Sequence, residues 1–335
     1  MSLLFIDSFD HYLTGDGVEK YQEYGGGSTI VAGRHGNGLH TPTAHIGLNP
    51  TSTRVVVGMA VKPLTLPTQL CVIVDTLDTF SFRSIVSFGL AGRVEAVTDY
   101  TFTPVTPSAS GLINPGSWYY VEINMLIAPP SSSTLEVRLD GATVINASGF
   151  TISTFSPSTY YWDQVRLGRL NPHMIIDDVY VLDGAGATHN TFLGDAEIGV
   201  IRPDGVNSEF ADSYGWTPQP GVDNYLNVDD QTPDDDATYN HTTTVGTIDR
   251  LNMQDVGALD EILGAQLLIS GRRTGETFAA IRGILNQAGV DYETADRYLS
   301  STYNYLREPY GNSPSGAAWT SDILNKIRAG YRKTV

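Results

Sequence analysis

The sequence predicts an all-β protein of two β-sandwich domains, the first a sandwich or jelly roll and the second smaller, with one short helix near the C-terminus. Three observations predict it. Of 335 residues 41% are hydrophobic and only 17% charged, while Gly (34) and Tyr (18) are abundant, a balance that suits strands and turns better than helices. The first 190 residues break into short apolar or alternating runs separated by Gly, Pro, Asn and Asp, which is the spacing of layered antiparallel sheets. The length also exceeds the ~250 residues at which one core usually stops growing, so two domains are expected, 1–190 and 191–335.

The elements follow in order. "MSLLFIDSFD" has no basic region and meets Asp7 after four apolar residues, which does not fit a signal peptide. "STRVVVGMAV", "LCVIVDT", "SIVSFGLAG" and "YYVEINMLI" each read as a strand. "TLEVRLDGATVINASG" reads as a hairpin: Leu135, Val137 and Leu139 alternate with Glu136 and Arg138, and "DG" turns the chain. "MIIDDVYVLDG" is the last strand of the first domain, and "GAGATHNTFLGD" marks the boundary.

The second domain is expected to open with a strand in "AEIGVIRPDG" and to continue into an Asp-rich loop, 223–236, with six aspartates and Pro233 among them. From Thr277 to Leu285, Phe278, Ile281 and Leu285 fit helical spacing, but Gly283 and Gly289 argue for a strand. After Trp319, Thr320 or Ser321 is placed to cap a short helix through "DILNKI", with Gly330 just past its end.

Composition excludes several classes of function. A net charge of −17 argues against nucleic acid, because phosphate binding needs clustered Lys and Arg. The single cysteine, Cys71 in "QLCVIVD", allows no intrachain disulfide and no CxxC pair, and points to a reducing compartment. No apolar run approaches the ~20 residues of a spanning helix, so membrane insertion is not expected. There is no GxSxG elbow, HExxH, P-loop or GxGxxG, and Glu122 stands without the paired carboxylates of an ExDxE strand. No catalytic residue and no cofactor is expected.

Two other groups are candidates. Asp229, Asp230, Asp234, Asp235 and Asp236 are the best metal candidates, for calcium if any, because hard cations take several oxygens on a flexible loop; the spacing is not an EF-hand, and a solvated acidic loop competes. Tyr160, Tyr161 and Trp162 in "SPSTYYWDQ" are candidates for stacking on a glycan or for a subunit contact, with core packing as the alternative. His35, His40 and His45 lie at five-residue intervals, which turns His40 away from the other two on an extended chain and disfavours zinc.

Five pieces of the first domain carry a resemblance: "GRHGNGLH", "STRVVVGMAVKP", "GSWYYVEINMLI" with Trp118 at its start, "LEVRLDGATV" and "IIDDVYVLDG". In that order they resemble the strands of a concanavalin A-like jelly roll of the laminin-G or pentraxin type. The whole chain is also similar to a group of tailed-bacteriophage virion proteins that end in a "GxAWTxxxLNxxxxG" pattern, here "SGAAWTSDILNKIRAG" with Trp319.

The resemblance implies that the "IDD" acids sit where their strand pairs near the N-terminal one. Strict alternation places Ile175, Asp177, Val179 and Val181 on one face and Ile176, Asp178, Tyr180 and Leu182 on the other. One acid then turns toward the dry side, where an unpaired charge costs several kcal/mol. Asp177 and Asp178 are therefore expected to be structural acids satisfied by backbone or hydroxyl donors, and Trp118 and Trp319 to be structural as well.

The resemblance implies a non-enzymatic virion component, tail-associated at the tip, adaptor or fibre base. It would be assembled in the bacterial host cytoplasm, with other virion proteins as partners and symmetric copies of itself. A module binding a host glycan or receptor, and a capsid decoration protein, are the alternatives.

Overall fold

The computed structural model describes residues 3–12, 20–21, 23–24, 28–40, 43–48, 52–76, 81–98, 103–129, 131–150, 162–169, 173–206, 215–221, 223–275 and 278–335. Nearly all regular structure is strand. The chain divides into two compact units, Met1–Ile198 and Gly199–Val335. The division falls eight residues beyond the expected 190, because 192–198 packs on the first unit.

The first unit begins with β1 (Leu3–Asp7), β2 (Glu23–Tyr24), β3 (Thr29–Ala32), β4 (Asn37–His40) and β5 (Ala44–Gly47). Long strands follow: β6 (Arg54–Pro63), β7 (Thr68–Asp75) and β8 (Ser81–Phe88), then β9 (Val94–Thr98) and β10 (Thr103–Val105). It continues through β11 (Tyr119–Leu126), β12 (Ser133–Leu139), β13 (Ala142–Phe150), β14 (Gln164–Arg169) and β15 (Met174–Leu182). One antiparallel sheet runs β13-β12-β11-β6-β15-β4-β3, with β1 also on β15; the other runs β10-β9-β8-β7-β14-β5-β2. The order β4-β15-β6 in the first sheet is matched by β5-β14-β7 in the second, so paired strands wrap across both layers as in a jelly roll.

Residue types account for this layering. β6 carries Val55, Val57, Met59 and Val61 on one face and Val56 and Ala60 on the other, all fully buried, so this central strand is covered on both sides. Tyr119 lies opposite Val61 in register, and Phe88 of the second sheet meets its ring at 6.1 Å. The Val55–Val61 face is therefore the one turned to the second sheet. The outer face, with Val56, Ala60, Tyr120, Tyr180, Leu182 and Leu3, is closed by Trp118, Phe192, Leu193 and Ala196.

The β12–β13 hairpin turns through Asp140 (φ 48°) and Gly141 (φ 78°), the paired left-handed residues of a type I′ turn. Cys71 is 1% exposed, and burial pushes its thiol up to about 12.

The second unit contains β16 (Pro203–Val206), β17 (Thr217–Gln219), β18 (Tyr239–His241), β19 (Ile248–Met253) and β20 (Ala265–Gly271). It then adds β21 (Ala280–Gln287), β22 (Val290–Glu293), β23 (Arg297–Tyr298), β24 (Asn304–Tyr310), α1 (Ser321–Leu324) and β25 (Arg328–Lys333). A sheet β16-β19-β25-β21-β22, with β23 on β21, packs against the two-stranded ribbon β20–β24. The approach is close, since a Cβ at Gly283 would press into Leu267. Leu285, Trp319 and Ile327 form the core between the layers, with Leu267, Tyr310 and Ile323 around them.

Three expectations for this unit are revised. The "AEIGVIRPDG" stretch is not a strand until Pro203; its Ile198 N–H goes to the Asp178 carboxylate and its Arg202 N–H to the Gln254 side chain instead of to a ladder. The helix is only Ser321–Leu324, capped by Thr320, whose hydroxyl accepts the N–H of Ile323. Gly330 lies inside β25, not past a helix end, and is required there because a Cβ would fall on the Asp249 carbonyl.

The 277–285 region is strand from Ala280 onward. Ile281 and Leu285 share a face of β21, Phe278 is 69% exposed, and Ala288 and Gly289 at positive φ turn the chain into β22.

Candidate functional site

A group of buried polar side chains in the first unit lies on the outer face of its first sheet, under residues 192–198. It is built on a bulge in β15. Asp177 is opposite Ala60 and Tyr180 opposite Gly58, so two residues of β15 stand against one of β6. Asp178 takes φ 50°, the left-handed conformation that Asp tolerates better than most residues.

The bulge corrects the expected alternation. Asp177 shares the outer face with Tyr180 and Leu182, whose register partners are Ala60, Gly58 and Val56, while Ile176 and Val181 face inward opposite Val61 and Val57. The sandwich core thus meets neither acid, and the dry surface they occupy is the strapped outer one. β15 pairs with β1, Phe5 opposite Val181, as the resemblance implies.

Each acid is held by backbone donors. Asp177 accepts the N–H of Arg34 (2.7 Å) and His35 (3.1 Å) on one oxygen and that of Asp178 (2.8 Å) on the other, so it closes the β3–β4 turn. Asp178 Oδ1 accepts the N–H of Ile198 at 2.8 Å, and its Oδ2 lies 3.5 Å from Arg34 Nε. Glu122 Oε1 accepts the Tyr180 hydroxyl (2.5 Å) and the N–H of Gly194 (2.8 Å). The Tyr180 oxygen accepts the N–H of Leu193 at 3.1 Å.

Arg34 also pairs with Asp195 at 2.6 Å and lies over the Tyr120 ring, and Arg138 lies over Phe192. Residues 192–198 are thus strapped down by apolar contact, by backbone N–H bonds and by one ion pair.

Asp177, Asp178, Glu122, Tyr120 and Tyr180 are at most 2% exposed. Burial, and then the charge of Asp178, pushes Asp177 up to about 7, and burial pushes Asp178 up to about 6. Burial likewise raises the Tyr120 and Tyr180 phenols above their ordinary range. These groups can accept hydrogen bonds and hold a proton; with the strap seated they are closed to a ligand.

The other sequence candidates lie apart from this cluster. Trp162 is fully buried, and its indole N–H donates to the Arg54 carbonyl at 2.9 Å, so it joins the two sheets and is no surface platform. Its large apolar ring outweighs the polar context that suggested exposure. Tyr160 and Tyr161 lie outside the described residues. Trp118 packs on the outer-face cluster, and Trp319, 5% exposed, donates to the Tyr310 carbonyl. His40 and His45 fall in β4 and β5, which belong to different sheets.

In the Asp-rich loop, Asp234 accepts the N–H of Thr238 (2.9 Å), while the Thr238 hydroxyl lies 2.8 Å from Asp234 and 3.1 Å from Asp230. Asp236 accepts from Arg272 (2.6 Å) and Tyr303 (3.1 Å). Among the described residues no three His, Cys, Asp or Glu side chains are gathered to hold a metal ion.

The second unit has a buried acid of its own, Asp249, which no sequence pattern marks. Asp249 accepts N–H bonds from Gly215 (3.0 Å) and Trp216 (3.1 Å), the Asn224 amide (2.6 Å) and the Tyr331 hydroxyl (3.3 Å). Its partners come from three separate stretches of chain, so no local spacing marks it. A cavity between β20, β21 and β24, lined by Leu267, Ile269, Gly283 and Leu306, measures about 10 Å³, room for one water.

No protein-family model matches the chain, and no curated protein does. Among solved structures it is similar to domain 4 of AbnA, an extracellular arabinanase from Geobacillus stearothermophilus. The identity is 16%, 54% of this chain and 91% of that one are covered, and the TM-score is 0.36. It is similar to an endo-β-1,4-glucuronan lyase from Trichoderma reesei at 10% identity, with 53% and 94% covered and a TM-score of 0.37. A carbohydrate-binding module, CBM66, from Bacillus subtilis matches at 9% identity, with 46% and 91% covered and a TM-score of 0.33. These are likenesses to what those proteins look like, and they bring neither ligand nor chemistry to this chain.

Proposed function

We propose that the chain is a structural component of a tailed-phage virion, tail-associated at the tip, adaptor or fibre base, and that it acts through protein–protein assembly and not through catalysis. One observation carries the reading: the buried acids Asp177, Asp178, Glu122 and Asp249 are spent on the chain's own backbone and hydroxyl donors. Carboxylates used in this way fix loops to sheets and give a rigid scaffold. The similarity of "SGAAWTSDILNKIRAG" to the ending of such virion proteins supports the particle assignment. Repetition in symmetric copies would multiply one interface many times.

Electron microscopy of the intact particle tests the proposal. Density for both units in the tail is the expected result. Density on the capsid would replace it with a decoration role, and absence from the particle would overturn it. A glycan array probed with the full chain reads the alternative: saturable binding to a host glycan would make recognition, not assembly, the primary role.

A further inference from the structure

We propose that residues 192–198 form a proton-controlled latch, seated on the outer face while the Asp177–Asp178 pair holds a proton and released when both carboxylates are ionised, so that the tether to the second unit lengthens.

The geometry sets up this competition. The segment ends where the first unit ends, at Ile198, and the last bond holding it is the Ile198 N–H on Asp178. Around that bond the negative groups outnumber the positive ones. Asp177, Asp178 and the Glu122–Tyr180 pair come from β15 and β11, and Asp195 and Glu197 from the segment itself. Facing them are Arg34 and His35 of the β3–β4 turn, the latter 3.9 Å from Glu197. Lys62 on β6 and His40 on β4 stand farther along the same face, opposite Ile175, and Arg138 of β12 is engaged on Phe192. Tyr120, and Asp10, which accepts the Asn37 N–H in the same turn, are further titratable neighbours.

Two adjacent carboxylates that are fully buried do not both ionise without cost. The pair therefore holds one proton between its two carboxyls. Asp178 Oδ2 accepts no hydrogen bond and has room for it. Burial raises both acids, Asp177 to about 7 and Asp178 to about 6. Lifting the strap admits water to Asp178 and returns it toward its ordinary value. Opening therefore releases a proton, and by linkage it becomes easier as pH rises toward neutrality. The seven freed residues could span up to roughly 24 Å if fully extended.

Hydrogen exchange of the full chain tests the latch, with protection corrected for the intrinsic pH dependence of exchange. In peptides covering 192–198, protection should fall by up to ~tenfold per pH unit between pH 5 and pH 7, the limit for one proton released on opening, and level off above pH 7. Peptides from β8 and β9, which exchange only through opening of the whole unit, should stay far better protected than 192–198 at every pH. Asp178→Asn preserves the acceptor for Ile198 and tolerates the left-handed backbone, so it should hold 192–198 protected at every pH.

A flat wild-type profile would overturn the latch and needs no variant. So would protection of 192–198 equal to that of β8 and β9, which would mean that the segment opens only with the whole unit, or an unchanged slope in Asp178→Asn.

Discussion

At Gly58 a single hydrogen decides whether the outer face can form. A Cβ there would fall within the Tyr180 ring, and that ring cannot move aside, because its hydroxyl is tied to Glu122 and to the Leu193 N–H. Gly58→Ala should therefore destabilise the first unit by about 1–3 kcal/mol, the usual cost of overpacking, read as a lower urea midpoint.

The two neighbouring aspartates should respond differently to the same change. Asp177 uses both oxygens as acceptors, so Asp177→Asn sets an amide NH₂ against a backbone N–H and should cost about 1–3 kcal/mol. Asp178→Asn keeps its one strong bond and should cost less than half as much. Equal losses in thermal unfolding of the two variants would contradict the hydrogen-bond assignment.

Among the elements, α1 is too short to persist on its own, since isolated helices need ~12–15 residues to be even marginal. Its cap and its packing hold it. Thr320→Ala removes the hydroxyl that accepts the Ile323 N–H and should cost about 1 kcal/mol, seen as faster amide exchange in 321–327. The Asp-rich loop is tied by Thr238, Arg272 and Tyr303, so stripping divalent ions with a chelator should leave the melting temperature unchanged. A drop of several degrees would show that an ion completes the loop.

Across the whole molecule, the buried acid pair gives the first unit a pH dependence of unusual sign. Its folded pKa values, about 7 and about 6, lie above the ordinary aspartate value. Between about pH 4 and pH 7 the folded state binds protons that the unfolded chain has lost. The pair's contribution is complete below that window and is lost as pH rises through it. Calorimetry of the first unit's transition should give a higher melting temperature at pH 5.5 than at pH 8.

The layered all-β architecture was legible because alternation and turn residues are local signals: β6, β11, β12 and β15 all fall where apolar runs stand between Gly, Pro, Asn and Asp. Local signals fail where partners are distant in the chain. The bulge at Asp178 depends on a register with β6, and Asp249 collects partners from Gly215 to Tyr331. The 192–198 strap reads as a boundary loop because its donors bond to side chains, which leave no periodic trace. "FLGDAEI" does place Phe192, Leu193 and Ala196 near the end of β15, and that cluster of apolar residues in a supposed linker was the available clue.

Cys71, shut inside the second sheet with its thiol pushed up to about 12, has a practical consequence. Maleimide and similar reagents attack the exposed thiolate, so the native chain should stay unlabelled while folded. A fluorophore or spin probe can then be attached at a cysteine introduced on either unit, without first replacing the natural one.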